Sequence, residues 1–112
     1  MNDYAIERKA FGQSINRFGQ VQQLIANSYA SYMAGRTFLY NIASHLDIFK
    51  PGNRVDTDAC KLFCGPMGKQ VADNAIQVLG GLGYVGDGIV ERLWRDAKLI
   101  EIGGGTVRYE LK

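Results

Sequence analysis

From Val21 onward, apolar or small residues recur at Val21, Ile25, Ser28, Tyr32, Gly35, Leu39, Ile42 and Leu46, in alternating steps of four and three. That spacing keeps one face of an α-helix turned toward a partner helix, so a long helix is predicted over about residues 18–48. Pro51 biases Lys50 away from helical dihedrals and Gly52 tolerates a turn, which ends the helix in the loop 49–53. A second stripe, Ala59, Phe63, Met67, Val71, Ala75 and Val78, predicts a helix capped by Asp56 or Thr57, with Asp58 in its first turn, that runs to Leu79. Pro66 lies inside it, removes a ladder donor and crowds the Leu62 carbonyl, so a kink or break is expected there.

Gly80 and Gly81 stop this helix as a left-handed cap would, and a glycine-rich loop leads through Asp87 into a third, shorter helix from Ile89 to Ile100. There Glu91 and Arg95 have the order and spacing of a helical ion pair. Residues 1–8 read as the tail of a helix whose first turns lie upstream. No segment shows the alternation of a strand and none repeats another. The fold class is all-α, an incomplete bundle of antiparallel helices.

The chain has 112 residues, 46% hydrophobic and 21% charged, which suits one globular domain. A core of that size leaves no room for a deep enclosed cofactor pocket, so a complete large enzyme is excluded. The net charge is +2 and the basic residues are scattered, which argues against nucleic acid or an anionic membrane as partner. No long apolar run and no basic-then-apolar leader appear, so neither a membrane span nor a secretory signal is expected. Cys60 and Cys64, four apart on a helix, would form a strained disulfide and are too few for structural zinc; they read as reduced, buried thiols.

Chemical motifs are weak when taken singly. Gly81-Leu82-Gly83-Tyr84-Val85-Gly86 has the G-x-G-x-x-G letters of a dinucleotide site, but it follows a helical pattern and precedes a loop, whereas that fingerprint follows a strand and opens a helix. Lys69 lacks the glycine and hydroxyl neighbours of a P-loop, and His45 has no set of ligands or triad partners at usable spacing. Asp56, Asp58, Asp87, Asp96, Glu91, Glu101 and Glu110 read as caps and solvated faces, and no metal site is expected. The glycine turn beside Gln77 is more informative, since free backbone donors and a side-chain amide suit a phosphate or an adenine edge. Three glycines at 103–105 would let backbone approach a ligand closely.

Several segments fall in a telling order: Glu7-Arg8 with Phe11-Gly12, Val21-Gln22, Asp58-Ala59-Cys60-Lys61, and Ala75-Ile76-Gln77 with Gly80-Gly81, Gly83 and Tyr84. Arg95-Asp96-Ala97-Lys98 and the pair Gly105-Thr106 follow them. Together, over nearly the whole chain, they resemble the C-terminal helical domain of the acyl-CoA dehydrogenase family, in the form of its isovaleryl-CoA dehydrogenase-like branch.

The resemblance implies an FAD-dependent oxidoreductase that converts an acyl-CoA thioester to the 2-enoyl-CoA and passes electrons to an electron-transfer flavoprotein. It also implies a homo-oligomer, tetramer or dimer, working in fatty acid or branched-chain amino acid catabolism. The compartment would be the mitochondrial matrix in a eukaryote or the cytoplasm in a bacterium. Residues 1–112 would be the C-terminal domain of a longer parent, without its N-terminal helical and middle β domains, and inactive alone.

By matched position, the resemblance assigns Arg8 to the FAD pyrophosphate with Phe11 packing nearby. It assigns Gln77, Val78, Leu79, Gly80 and Gly81 to the adenosine half of FAD across a subunit interface. Thr106 would contact FAD within its own subunit, Arg108 would meet a phosphate, and Gly104 and Gly105 would line the thioester end of the substrate. Trp94 and Arg95 would support packing and an interface.

Departures from the family pattern matter too. Many members carry the catalytic glutamate at the position of Gly104, so this chain supplies no base there, and the base is expected upstream of residue 1. The glutamine common after the phenylalanine of the second helix falls at Gly19, with Gln20 one position late, which shifts or removes that flavin contact. Val107-Arg108 stands where Ser-Glu is common. Two other functions are weighed: a stand-alone helical oligomerisation module, and a DNA-associated or regulatory relative that holds FAD without oxidising acyl-CoA.

Overall fold

The computed structural model describes residues 1–47, 49, 54–86 and 88–104. The loop expected at 49–53, Asp87, and the assignments to Gly105, Thr106 and Arg108 fall wholly or largely outside these residues. Among the described residues there are five helices: α1 (Asn2–Glu7), α2 (Gly19–His45), α3 (Arg54–Leu79), α4 (Gly81–Tyr84) and α5 (Ile89–Ile102). An all-α fold is therefore observed.

α3 is the central element, with α2 on one side and α5 on the other. Both neighbours run antiparallel to it. Asn74 meets Ser28 while Cys64 meets Gly35, and Trp94 meets Asp73 while Gly103 meets Lys61. A single helix with two partners needs two contact faces, which explains why its burial departs from a single apolar stripe. Cys60, Gly65, Asn74 and Val78 are its buried residues, whereas Phe63 of the predicted stripe is exposed.

The predicted α2 stripe is buried only at its smallest members, Ser28 and Gly35. At Gly35 the helices approach so closely that a Cβ would lie 2.5 Å from Met67 Cε. The described core is thin: Ala5, Cys60 and Val78 are its buried hydrophobic residues, and no large side chain is fully enclosed. Tyr29, Tyr40, Leu39, Leu93, Leu99 and Ile100 all stand exposed. The assembly is correspondingly long, 59 × 24 × 22 Å. No described helix is long and apolar enough to cross a membrane.

Several expectations need correction. α3 begins at Arg54, ahead of the expected cap; Thr57 Oγ1 donates back to the Arg54 carbonyl at 3.0 Å, and Asp58 pairs with Arg54 at 3.4 Å. Pro66 does not break the helix, which runs through it. Pro66 is exposed while Gly65 beside it is buried, and contacts to α2 and α5 through Lys61 and Cys64 before the proline and Asp73 and Asn74 after it offset the lost ladder bond. The glycine-rich loop holds an extra helical turn, α4, and α5 extends to Ile102.

A small antiparallel hairpin also appears where no strand is expected. β1 (Lys9–Ala10) pairs with β2 (Gln13–Ser14), Lys9 opposite Ser14 and Ala10 opposite Gln13. Phe11 and Gly12 form its two-residue turn with φ of 52° and 84°, the doubly left-handed geometry that matches strand twist in tight hairpins. A 3-10 turn, Ile15–Arg17, then leads into α2.

Candidate functional site

The residues assigned by resemblance separate into two groups at opposite ends of α3. The first gathers near its C-terminal end. The Tyr4 hydroxyl lies 3.5 Å from the Leu79 carbonyl oxygen, which sets α1, and the hairpin that follows it, beside Gln77–Gly81. Arg8 is fixed through its backbone, its N–H donating to the Tyr4 carbonyl at 2.8 Å and its carbonyl accepting from Ile15 at 2.9 Å. Its guanidinium is exposed and has no hydrogen-bond or ion-pair partner among the described residues.

Phe11 projects from the hairpin tip and is 96% exposed. Its ring meets Phe18 edge to face, with centroids 6.2 Å apart and planes at 82°. A bulky residue held at positive φ with its ring in solvent is locally unfavourable, and such a ring is placed to contact something outside the chain. A cleft of about 540 Å³ opens beside it, lined by Ala10, Phe11, Ile15, Phe18, Gly19 and Gln20 among others. Gln20, one position late by family pattern, is among the residues that line this cleft with Phe11. The only sequence signal for that was the glutamine itself; its nearness to Phe11 depends on the hairpin folding back.

At the α3 terminus, Gln77, Gly80 and Gly81 are exposed, while Val78 is buried and Leu79 half-buried. Val78 is thus a core residue that positions the turn and presents no side chain to a ligand. Gly80 adopts φ 63° and ψ −137°, a conformation suited to glycine, and a Cβ there or at Gly81 would meet nothing within 4 Å. The turn is open to a ligand but offers fewer donors than expected. The Gly80 N–H bonds to the Ile76 carbonyl at 2.8 Å, and the N–H groups of Gly83 and Tyr84 bond back to Gly80 at 3.0 and 3.3 Å. Gly83 is a packing residue, because a Cβ would come within 3.2 Å of the Ile76 backbone. The G-x-G-x-x-G letters therefore serve helix packing and turn geometry here.

The second group lies about 24 Å away along α3, taken from Lys61 to Gln77 at the α-helical rise. Lys61 Nζ donates to the Gly103 carbonyl at the end of α5, a cation on the negative end of the helix dipole. Gly104 follows with φ 72°, and a Cβ on it would lie 3.5 Å from Lys61 Nζ. A glutamate there would be strained in its backbone and paired with an ammonium.

Trp94 Nε1 donates to Asp73 at 3.2 Å, Lys69 Nζ lies 4.0 Å above its ring, and Arg95 pairs with Glu91 at 2.8 Å as its spacing predicts. His45 is exposed, its Nδ1 close to the Asn41 carbonyl and the Ser44 hydroxyl. The two cysteines are free thiols, Cys60 buried and Cys64 half-buried, with Sγ atoms 3.8 Å apart. Burial, followed by the Cys60 contact, pushes the Cys64 thiol up to about 11.

Residues 1–111 match the family model described as "Acyl-CoA dehydrogenase, C-terminal domain". The chain is 42% identical over 103 residues to isovaleryl-CoA dehydrogenase, mitochondrial, of Oryza sativa subsp. japonica, covering 92% of this chain and 25% of that protein. It is 40% identical over 106 residues to cyclohexane-1-carbonyl-CoA dehydrogenase of Syntrophus aciditrophicus, covering 95% of this chain and 27% of that protein. Its fold matches butyryl-CoA dehydrogenase of Megasphaera elsdenii with a TM-score of 0.90 and 29% identity, over 98% of this chain and 28% of that one. The chain spans about a quarter of the length of the curated relatives it matches.

Proposed function

Since the chain belongs to the acyl-CoA dehydrogenase family through its C-terminal domain, we propose that it is the flavin-binding and interface-forming part of a longer dehydrogenase. That parent oxidises an acyl-CoA thioester to its 2-enoyl-CoA. The observation that carries the proposal is the set of ligand-ready groups at one end of α3: a guanidinium at Arg8 without a partner among the described residues, an exposed ring at Phe11, and the open amide and glycines of Gln77, Gly80 and Gly81.

These groups fit the chemistry of FAD. A guanidinium suits a pyrophosphate in bidentate contact, an aromatic face suits a flat ring system, and a side-chain amide suits an adenine edge. When bound, FAD supplies the hydride acceptance that no side chain provides. The chain's own residues hold and orient it. Arg8 would meet the pyrophosphate, Phe11 and Gln20 would line the adjoining cleft, and Gln77, Gly80 and Gly81 would meet the adenosine half, with Val78 and Leu79 supporting that turn.

The separation of the two groups along α3 supports an interface role. A compact ligand cannot touch both Gln77 and Gly104, so the two ends would serve different ligand parts or the sites of different subunits. The exposed Tyr29, Tyr40, Leu39 and Leu93 add apolar faces that need a cover, which the other domains and subunits of a homo-oligomeric parent would provide. Gly104, with Gly105 after it, would leave room at the thioester end and offers no proton acceptor, so the base would come from elsewhere in the parent. An electron-transfer flavoprotein would accept the electrons.

Arg8→Ala in the full-length parent tests the proposal. Flavin per subunit, read from absorbance of the purified enzyme, should fall, and an unchanged flavin content would refute the role of Arg8. The 112-residue chain alone should oxidise no acyl-CoA; turnover by it would overturn the proposed dependence on a parent. A native product no heavier than this chain would shift the assignment to a helical interaction module.

A further inference from the structure

The seam between α2 and α3 holds a cluster of soft donors that the flavin reading does not use. Cys60, Cys64 and Met67 stand at i, i+4 and i+7 on α3, the spacing that places three side chains on one helix face. The two Sγ atoms are 3.8 Å apart. The Cys64 Sγ and Met67 Cε converge on Gly35, lying 3.5 and 2.5 Å from the point a Cβ there would occupy. A cavity of about 290 Å³ reaches this place, with Cys64, Met67, Gly35 and Arg36 in its wall.

We propose that Cys60 and Cys64, completed by the Met67 thioether, bind one soft monovalent metal ion of the Cu(I) type. The geometry suits a bent pair of metal–thiolate bonds. With metal–sulfur bonds of about 2.3 Å, sulfurs this far apart subtend roughly 110° at the ion, an angle that leaves room for a third ligand. The donor types select the ion. Among the described residues no group of three or more His, Cys, Asp and Glu could hold a metal, so harder cations lack ligands here, whereas thiolate and thioether donors together favour Cu(I).

Binding exchanges protons for the cation. Two S–H bonds break, two metal–sulfur bonds form, and two protons pass to solvent with no change in oxidation state. Two thiolates and one monovalent ion carry one net negative charge. Cys64 provides the entry, because it lines the cavity while Cys60 is buried and does not line it.

The test is an anaerobic competition between the reduced 112-residue chain and a chromogenic Cu(I) chelator, with Cu(I) the only metal added. The wild type should withdraw one equivalent. Cys60→Ser and Cys64→Ser should each lower affinity by more than the roughly 10–100-fold typical of changes around a metal site's outer shell. Met67→Leu, which keeps volume and apolarity, should lower it by about tenfold. Far-UV circular dichroism checks that each variant remains helical; should a serine variant unfold, Met67→Leu still decides. No withdrawal by the wild type, or equal withdrawal by all variants, overturns the site, and full affinity in Met67→Leu alone removes the thioether from it.

Discussion

Asn74 donates its side-chain amide to the Ser28 hydroxyl at 3.0 Å across the seam of α2 and α3, and both residues are buried. The Asn74 carbonyl oxygen in turn accepts from Gln70 Nε2 at 2.9 Å. In a bundle with no fully enclosed large side chain among its described residues, this pair fixes which residues of the two helices face each other. An apolar seam could slide at little cost, but a slip here would strand two polar groups away from water.

Ser28→Ala should therefore destabilise the chain by about 1–3 kcal/mol, the range for a buried donor left without its partner. Urea denaturation measures it. Replacing both residues by apolar ones should cost less than the sum of the single changes, because no orphan remains. A strictly additive double-mutant cycle would show that the bond does not act as a unit.

Gly35→Val should destabilise more than Gly35→Ala. A Cβ meets the Met67 methyl end at 2.5 Å, but Phe63 and Cys64 also stand at 3.4 and 3.5 Å. The flexible Met67 can move for one methyl group; two further methyls must push the helices apart, at about 1–3 kcal/mol. Combining Gly35→Ala with Met67→Ala should recover part of the loss in thermal denaturation, which would not happen if the cost came only from helix propensity.

The exposed ion pairs should matter little. Glu91→Gln breaks the 2.8 Å contact to Arg95, whose side chain is largely solvated, so the expected loss is about 0.5 kcal/mol and shrinks with added salt. Asp73→Ala should do something different, because it removes the acceptor of the only tryptophan's Nε1–H. A shift in Trp94 emission should accompany Asp73→Ala and be absent for Glu91→Gln.

The helices were legible because their spacing is a local property. Val21 to Leu46 marks α2 to within a few residues, and the Glu91–Arg95 pair follows from order and distance in sequence alone. The hairpin was not legible. Strands of two residues are too short to alternate, and Phe11-Gly12 lacks the Asn-Gly or Asp-Gly of the commonest tight turns. Pro66 misled because local backbone chemistry argues for a break, while the outcome depended on packing against two flanking helices.

The same division runs through the candidate site. Arg8, Gln77 and the glycines were singled out by their ordered motifs. The placing of Gln20 beside Phe11, and of Val78 in the core, depends on contacts between elements and could not be read from either segment alone. Gly83 carried a motif letter whose physical meaning, close packing on Ile76, emerged only with α4 in place.

The Cys64 thiol gives a pH window. Its ordinary value is 9.0, and burial raises it to about 11 in the folded chain. The folded state thus favours the protonated thiol. Stability from this group is complete below pH 9, declines as the unfolded chain ionises first, and is lost once pH passes about 11. Cys64 is only half-buried, so water moderates the size of the effect but not its sign. Cys64→Ser should flatten the decline between those two values in denaturation curves taken across alkaline pH. Alkylation by iodoacetamide gives an independent reading, since only the thiolate reacts. Cys64 in the native chain should react slowly at pH 8 and keep accelerating up to about pH 11, whereas in urea its rate should level off near pH 9. Identical pH profiles in the two states would mean that the packing of α2 against α3 does not desolvate this thiol.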